Sequence, residues 1–351
     1  MSDINGRAMS AEEARRAMMN DPEELRGTTP VDDEPAASPS EAPVTLQVEM
    51  RHADKLYGEA VNYAKGFMDD VRDGKTIDVN EAMPLVNEFI DSVFRNDSAA
   101  AAICKLRAFD EYTYTHCINV SILSVILAKK LGYTREQLEV VGMAGMFHDV
   151  GKAIIPNSIL NKPGKLTDDE MKVMRTHPLH SYKILSAQKD IPEDVIRGAV
   201  EHHEKYDGSG YPRGLKGEQI SEIARLLAVV DVYDALTSRR VYKDPMPPSK
   251  VLAMMYKWRV TDFHPNTVEQ FIKSLGVYPV GSFVRLTSGD HGVVILTASE
   301  QPLKPTVRVV YDRKIKQIPM KDIDLSKEKR LKVDDVVNPD DHGVDVFRLI
   351  Q

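Results

Sequence analysis

The chain has 351 residues, of which 28% are charged and 42% hydrophobic, and its formal net charge is −7. This composition is typical of a globular protein with room for two or three domains. The acidic balance argues against a binder of nucleic-acid polymers or of acidic membranes, because both usually need a basic excess.

The two cysteines, Cys104 and Cys117, have a spacing that suits neither a disulfide framework nor a metal motif. We predict free, buried thiols in a reducing compartment. No apolar run is long enough to span a membrane, and the first residues lack the apolar segment of a signal peptide. We therefore expect a cytoplasmic protein that does not engage a membrane.

Two regions precede the predicted core domain. Residues 1–43 are acidic, rich in Ala and Ser and interrupted by prolines, which predicts a disordered tail. Residues 44–108 carry apolar side chains at spacings of three and four, which indicates two helices, the second beginning at Asn80. We interpret them as a helical pair that packs on the next domain or dimerises beside it, so a homodimer is one expected assembly.

Residues 109–276 show helix signals and no strand-like alternation, which predicts an all-α domain. Two capping boxes are predicted, Thr134 with Gln137 and Thr167 with Glu170. The glycines expected to end helices are Gly132, Gly151 and Gly276.

Residues 277–351 change in character. Short β-branched runs at 283–286, 292–296 and 307–311 alternate with turn residues and predict a small antiparallel sheet or barrel that ends with 344–350. The predicted class is mainly α: an all-α bundle with an N-terminal helical pair and a small β-rich C-terminal domain.

The predicted bundle contains a series of imidazoles and carboxylates: His116, His148, Asp149, His177, His202, His203 and Asp231. Successive groups are 25 to 32 residues apart, about one helix plus its connection, so each can lie on a different helix and point inward. Five imidazoles and two carboxylates exceed the needs of one metal and suit two metals that share a carboxylate. We expect His180, His264 and His291 to be ordinary surface or core residues.

Three motifs resemble those of the HD-GYP family, a branch of the HD phosphohydrolases. Residues 148–152, His-Asp-Val-Gly-Lys, look like the family's HD-x-G-K motif. Residues 210–212 match its Gly-Tyr-Pro motif, and residues 231–238 are similar to its D-x-Y-D-A-L-T-S helix. The resemblance covers about 109–276, with the motifs in family order.

The resemblance implies an all-α fold with a bi- or trinuclear iron or manganese site. It assigns the first metal to His116, His148, Asp149 and Asp231, and the second to Asp149, His177, His202 and His203. Trinuclear relatives place a Glu one turn before the first His. Tyr112 occupies that position here and Glu111 is one step away, so we expect two metals.

The resemblance also implies the substrate cyclic di-GMP, a bacterial second messenger, hydrolysed to pGpG and on to GMP by a hydroxide that bridges the metals. Asp149 and Lys152 are the expected catalytic residues. Lys152, Arg240 and Lys243 correspond to phosphate-binding positions. Tyr211 is a candidate either for base stacking or for packing its own loop.

Two other hypotheses remain open. One is the same chemistry on another substrate, such as cyclic GMP-AMP or a nucleotide monoester. The other is a signalling adaptor that binds ligand, or a diguanylate cyclase domain, with little turnover. Because every ligand position of the two-metal pattern is occupied, the sequence favours an enzyme.

Overall fold

The computed structural model of the chain describes residues 44–106, 112–239, 245–298 and 300–350. The predicted tail, and the predicted phosphate contacts Arg240 and Lys243, lie outside the described residues. In the described part of the chain, no helix combines the length and the apolar character needed to cross a membrane.

Two long helices come first, as the sequence predicts. Helix α1 spans Leu46–Arg72 and helix α2 spans Val79–Leu106, with a break in helical geometry at Asn96. The predicted apolar face of α1 is buried against α2 and against the bundle that follows. The rings of Phe67 in α1 and Phe147 in the bundle meet edge to face at 5.2 Å. The pair therefore shares one packed core with the bundle.

The bundle consists of helices that follow the predicted all-α pattern. They are α3 (Tyr112–Lys130), α4 (Arg135–Phe147), α5 (Asn157–Leu160), α6 (Asp168–Met174), α7 (His177–Ser186), α8 (Glu193–Glu201), α9 (Glu222–Thr237), α10 (Pro248–Lys257) and α11 (Pro265–Leu275). Short 3₁₀ helices lie at Val150–Ile154 and Gly217–Gln219. Both predicted capping boxes form, at Thr134 and Thr167, and they fix the starts of α4 and α6. Helix α4 packs on α3 and α8, and α9 packs on the same two helices.

Two of the three glycine predictions are confirmed. Gly132 and Gly276 follow helices with φ of 85° and 73°, where glycine is favoured. The prediction for Gly151 is wrong, because this residue lies inside the first 3₁₀ helix. A Cβ there would lie 2.0 Å from the backbone oxygen of His177, so glycine is needed for close packing. A sequence pattern does not distinguish that requirement from a helix end.

The C-terminal region forms a five-stranded antiparallel sheet of order β4-β3-β2-β1-β5. Its strands are β1 (Phe283–Leu286), β2 (His291–Leu296), β3 (Thr306–Tyr311), β4 (Gln317–Asp324) and β5 (Val333–Val336). Val284 of β1 pairs with Gly292 on one side and Val336 on the other. The three predicted strands are β1 to β3, which form the centre of the sheet.

The edges of the sheet differ from the prediction. The sequence pattern did not predict strands β4 and β5, because they are edge strands with charged side chains. Strand β4 also contains Pro319, which is unusual within a strand. The predicted final β segment, residues 344–350, is wrong: Val346–Ile350 is a short helix, α12. Val346 and Ile350 are both buried, and their spacing of four residues puts them on one helical face.

We predict that Gly145 of α4 tolerates a methyl group far less well than Gly66 of α1. A Cβ at Gly145 would lie 2.7 Å from the Cα of Ser121 in α3, whereas nothing lies within 4 Å of that position at Gly66. Gly145→Ala should lower the free energy of unfolding by about 1–3 kcal/mol through overpacking. Gly66→Ala should raise it by about 0.5–1 kcal/mol through helix propensity. Urea denaturation measures both, and equal effects would contradict the close approach of α3 and α4.

Candidate metal centre

The structure brings all seven predicted ligand residues together inside the bundle. His116 lies on α3, His148 and Asp149 follow α4, His177 begins α7, His202 and His203 follow α8, and Asp231 lies on α9. Their ligand atoms form two groups, and within each group all the atoms lie within 4.8 Å of one another. The first group is His116, His148 and Asp231, and the second is Asp149, His177, His202 and His203. All are buried except His203, which is partly exposed.

The carboxylate of Asp149 lies between the two groups. Its Oδ2 is 3.2 Å from Nε2 of His148 and 3.5 Å from Nε2 of His116. Its Oδ1 is 3.2 Å from Nε2 of His177 and 3.8 Å from Nε2 of His202. Each oxygen therefore faces a different group, which is the geometry that a carboxylate shared by two cations requires.

Asp231 completes the first group. Its Oδ1 lies 3.0 Å from Nε2 of His116 and 3.9 Å from Nε2 of His148. Its Oδ2 lies 4.0 Å from Nδ1 of His203 in the second group. Asp231 lies among buried apolar residues of α9, and its imidazole neighbours offset the cost of burying this carboxylate.

Three of the imidazole rings are each oriented by a hydrogen bond of the same type. His148, His177 and His202 each use Nδ1 to contact the carbonyl oxygen three positions earlier in the chain, at 2.8 to 2.9 Å. A carbonyl oxygen only accepts, so Nδ1 carries the proton and donates it. Nε2 is then left with a lone pair directed at the centre, as ligation of a metal requires.

Burial keeps the second group of imidazoles uncharged. It lowers the pKa of His177 to about 3 and that of His203 to about 4. It also holds the pKa of His202 well below its ordinary value. These rings are therefore neutral at pH 7 and can act as ligands.

The carboxylates of the centre remain ionised. Burial alone would raise the pKa of Asp149, but the ammonium charge of Lys152 holds it well below its usual range. Burial likewise opposes the charged form of His116, yet its hydrogen bonds to Asp231 and Asp234 raise its pKa to about 9. The first group therefore favours a positive charge at the place where a cation would bind.

Two buried atoms at this centre have no hydrogen-bond partner among the described residues, Nε2 of His148 and Oδ1 of Asp149. A buried polar atom without a partner is costly, and such exceptions call for a physical explanation. A metal ion would satisfy both atoms. Imidazole nitrogens with carboxylate oxygens form a donor set that suits divalent first-row metals, so the cluster fits a divalent metal site.

A chain of hydrogen bonds connects the first group to helix α1. Nδ1 of His116 lies 2.7 Å from Oδ2 of Asp234, and Nδ2 of Asn119 donates to Oδ1 of Asp234 at 2.8 Å. The hydroxyl of Tyr57 in α1 donates to Oδ1 of Asn119 at 2.8 Å. Sequence reasoning missed these residues, although Asp234 follows Asp231, and Asn119 follows His116, by one helical turn.

Lys152 and Tyr211 lie at the exposed side of the cluster. The ammonium group of Lys152 donates to Oδ2 of Asp149, and 21% of its side chain is exposed. The ring of Tyr211 stacks on His203 with centroids 4.8 Å apart. The guanidinium group of Arg175, which the sequence analysis missed, lies 5.3 Å from the Tyr211 centroid. Its position two residues before His177 is the only sequence signal it carries.

The loop that bears Tyr211 is held by buried polar contacts. Glu204 accepts hydrogen bonds from the backbone amides of Arg213 at 2.7 Å and Leu215 at 2.9 Å. A Cβ at Gly210 would lie 2.3 Å from the backbone nitrogen of Lys205. This close approach explains the glycine of the Gly-Tyr-Pro motif and fixes the direction of the loop.

The three histidines expected to be ordinary residues, His180, His264 and His291, lie outside the two groups. His264 precedes α11 and contacts Thr267, and His291 lies in β2 with its ring near Phe283. His180 is on α7. Their positions agree with the expectation of ordinary surface or core residues.

Three sequence models of protein families match the chain. The HD domain matches residues 99–266, and a KOW domain associated with the HD domain matches residues 283–344. A domain of unknown function matches residues 6–82, across the predicted tail and part of the helical pair.

Individual relatives agree with the first match. A cyclic di-GMP phosphodiesterase of Pseudomonas aeruginosa is 40% identical over 292 residues, which is 83% of this chain and 70% of that protein. A 3'3'-cGAMP-specific phosphodiesterase of Vibrio cholerae is 34% identical over 168 residues, or 48% of this chain and 36% of that protein.

A solved structure shows the fold. An HDG"Y"P protein from Bdellovibrio bacteriovorus is similar with a TM-score of 0.55 at 19% identity, over 64% of this chain and 71% of that chain. The fold, the motifs and the 40% identity over most of the chain lead to one conclusion. The chain belongs to the HD-GYP family, the HD-domain branch of the cyclic di-GMP phosphodiesterases.

Proposed function

We propose that this protein is a metal-dependent phosphodiesterase that hydrolyses cyclic di-GMP to pGpG and then to GMP in the cytoplasm. The observation that carries the proposal is the Asp149 carboxylate, which presents one oxygen to each of two histidine groups. The relative from Pseudomonas aeruginosa, a cyclic di-GMP phosphodiesterase that is 40% identical to this chain, supports the substrate. The free thiols Cys104 and Cys117 are buried, which suits a reducing compartment.

We assign two metals, iron or manganese, to the two groups. The first would be held by His116, His148, Asp149 and Asp231, and the second by Asp149, His177, His202 and His203. The mixed nitrogen and oxygen donors support these metals. We assign no third metal, because Tyr112 occupies the position where trinuclear relatives have a Glu, and Glu111 lies outside the described residues.

When bound, the metal pair would supply Lewis acidity at the phosphoryl group and lower the pKa of a water molecule. The chain's own residues prepare that chemistry. Asp149 and Asp231 provide the negative charge that keeps two cations close together. The hydrogen bonds at Nδ1 hold the rings of His148, His177 and His202 in a fixed orientation.

Positive side chains would bind the substrate phosphates. Lys152 lies beside Asp149 and is partly exposed, so its ammonium group can neutralise charge that develops on the phosphoryl oxygens. Arg175 presents a guanidinium group near Tyr211, at a position suited to a second phosphate. Arg240 and Lys243 remain proposed phosphate contacts. Because Tyr211 stacks on His203, we assign it first to positioning this ring and second to contact with a base.

A second substrate has one specific observation in its favour. The 34% identical relative from Vibrio cholerae is named as specific for 3'3'-cGAMP. Both dinucleotides offer the same phosphodiester chemistry, so the choice depends on contacts with one base.

Chromatography of the products of anaerobically purified, metal-loaded protein tests the substrate. We expect kcat/KM to be at least tenfold higher for cyclic di-GMP than for 3'3'-cGAMP. The reverse order would move the assignment to the mixed dinucleotide. Binding without turnover of either would favour the adaptor hypothesis, including one that engages a diguanylate cyclase domain.

We predict that Asp149→Asn and Lys152→Ala fail in different ways. Asparagine keeps the shape but loses the charge that compensates two cations, so at least one metal should be lost and turnover should approach background. Lys152→Ala should keep both metals and lose about 30- to 1000-fold in rate, since one charge-assisted contact is worth about 2–4 kcal/mol. Elemental analysis and turnover, measured on the same samples, check both expectations.

The chain offers a matched control for this pair. Asp169 and Lys172 also form an i,i+3 ion pair, at 2.7 Å, but their side chains are 90% and 77% exposed. Asp169→Asn and Lys172→Ala should leave metal content and rate unchanged. If Asp149→Asn retains two metals and its activity, the Asp149 carboxylate is not shared by the two metals. Metal loss in Lys152→Ala would make Lys152 structural.

We also predict that the hydrogen-bond chain from α1 supports the first metal selectively. Asp234→Asn should lower the affinity for the first metal about 10- to 100-fold, as is usual when the hydrogen-bond partner of a ligating imidazole is changed. The second metal should stay bound. Tyr57→Phe should have a smaller effect in the same direction. Tyr63→Phe is the control, because the Tyr63 hydroxyl on the same helix donates to the backbone oxygen of Asp78 instead. Competition with a chelator measures the affinities. Equal loss of both metals would contradict the selectivity.

A further inference from the structure

A cavity of about 700 Å³ lies between the helical bundle and the C-terminal sheet. The ends of α2 and α9 and the start of α10 form one wall, and β1 with residues 336–347 forms the other. None of the seven ligand residues lines it. Its volume falls within the range of small-molecule sites, which often lie between domains.

The walls of the cavity are largely apolar. They include Leu106, Leu123, Leu275, Phe283 and Val337. Leu106 and Val337 are only partly buried in the chain as a whole. An occupant with an apolar body would therefore remove more apolar surface from water, which favours binding.

One wall residue is the partly buried lysine Lys105. Nζ of Lys105 donates to Oγ of Ser282 at 3.0 Å, and no described carboxylate forms an ion pair with it. Burial lowers the pKa of this lysine to about 7, because desolvation disfavours the charged ammonium form.

The carboxylates that line the cavity are paired with groups other than Lys105. Asp340 lies 3.6 Å from Arg239, and Asp345 lies 3.1 Å from Arg348. Asp234 is bound to His116, as described above. The cavity thus combines apolar walls with a lysine that offers its charge to an anion.

We propose that this cavity is a binding site for a small amphipathic monoanion, a carboxylate or sulfonate with an apolar body. The anionic group pairs with the ammonium group of Lys105, and the apolar body packs against the leucine and phenylalanine side chains. Asp234 belongs both to the wall of this cavity and to the hydrogen bonds of His116, so an occupant would lie next to the support of the metal centre. Binding here is independent of which dinucleotide the metal centre hydrolyses.

The test uses two fluorescent probes on the full, metal-loaded chain. 8-Anilinonaphthalene-1-sulfonate has an apolar ring system and one sulfonate, and N-phenyl-1-naphthylamine has the same rings without the charge. We expect one sulfonate probe to bind per chain. Lys105→Met should weaken it about 10- to 100-fold, the usual worth of a charge-assisted contact, and should leave the neutral probe within about threefold. Lys172→Met, at an exposed lysine, is the control and should change neither affinity.

Two further measurements test the proposal even if Lys105→Met folds poorly. Ala101→Phe, which fills the cavity from α2, should weaken both probes. On the unmodified chain, decanoate should displace the sulfonate probe at least tenfold better than decanol. Equal loss of both probes in folded Lys105→Met, or equal displacement by decanoate and decanol, would overturn recognition of the anion. Absence of stoichiometric probe binding, or probe binding unchanged by Ala101→Phe, would overturn the site.

Discussion

The structure depends on one buried carboxylate. Asp149 is 1% exposed and lies among imidazoles from α3, α7 and the ends of α4 and α8, with the ammonium group of Lys152 beside it. A charge buried to this degree is costly unless it is paired. The imidazoles around Asp149 come from separate helices, so the site forms only when these helices pack together. Charge compensation at Asp149 therefore requires these helices to be packed together.

The packing of the bundle serves that arrangement. Gly145 lets α4 approach α3, and Gly151 lets the 3₁₀ helix approach α7, so His148 and Asp149 reach the ligands of the neighbouring helices. The N-terminal pair contributes as well, because Tyr57 of α1 supports His116 through Asn119 and Asp234. The helical pair is thus connected to the metal centre by hydrogen bonds as well as by apolar packing.

Sequence reasoning predicted what depends on residue type and spacing. The central strands, the capping boxes at Thr134 and Thr167, and the meeting of seven ligand residues follow from local patterns. It missed what depends on neighbours far away in the chain. Edge strands β4 and β5 are stabilised by pairing rather than by propensity, and Val346–Ile350 has too few residues for a clear period. Arg175 and Asn119 have no motif of their own, since their roles arise only from tertiary contacts.

Anomalous X-ray diffraction at the iron and manganese edges, from crystals grown without oxygen, tests the central claim most directly. The account predicts two peaks on either side of Asp149. One should lie near Nε2 of His116 and His148, and the other near Nε2 of His177 and His202. A single peak bound by only one oxygen of Asp149, or metal density away from this carboxylate, would contradict the shared site.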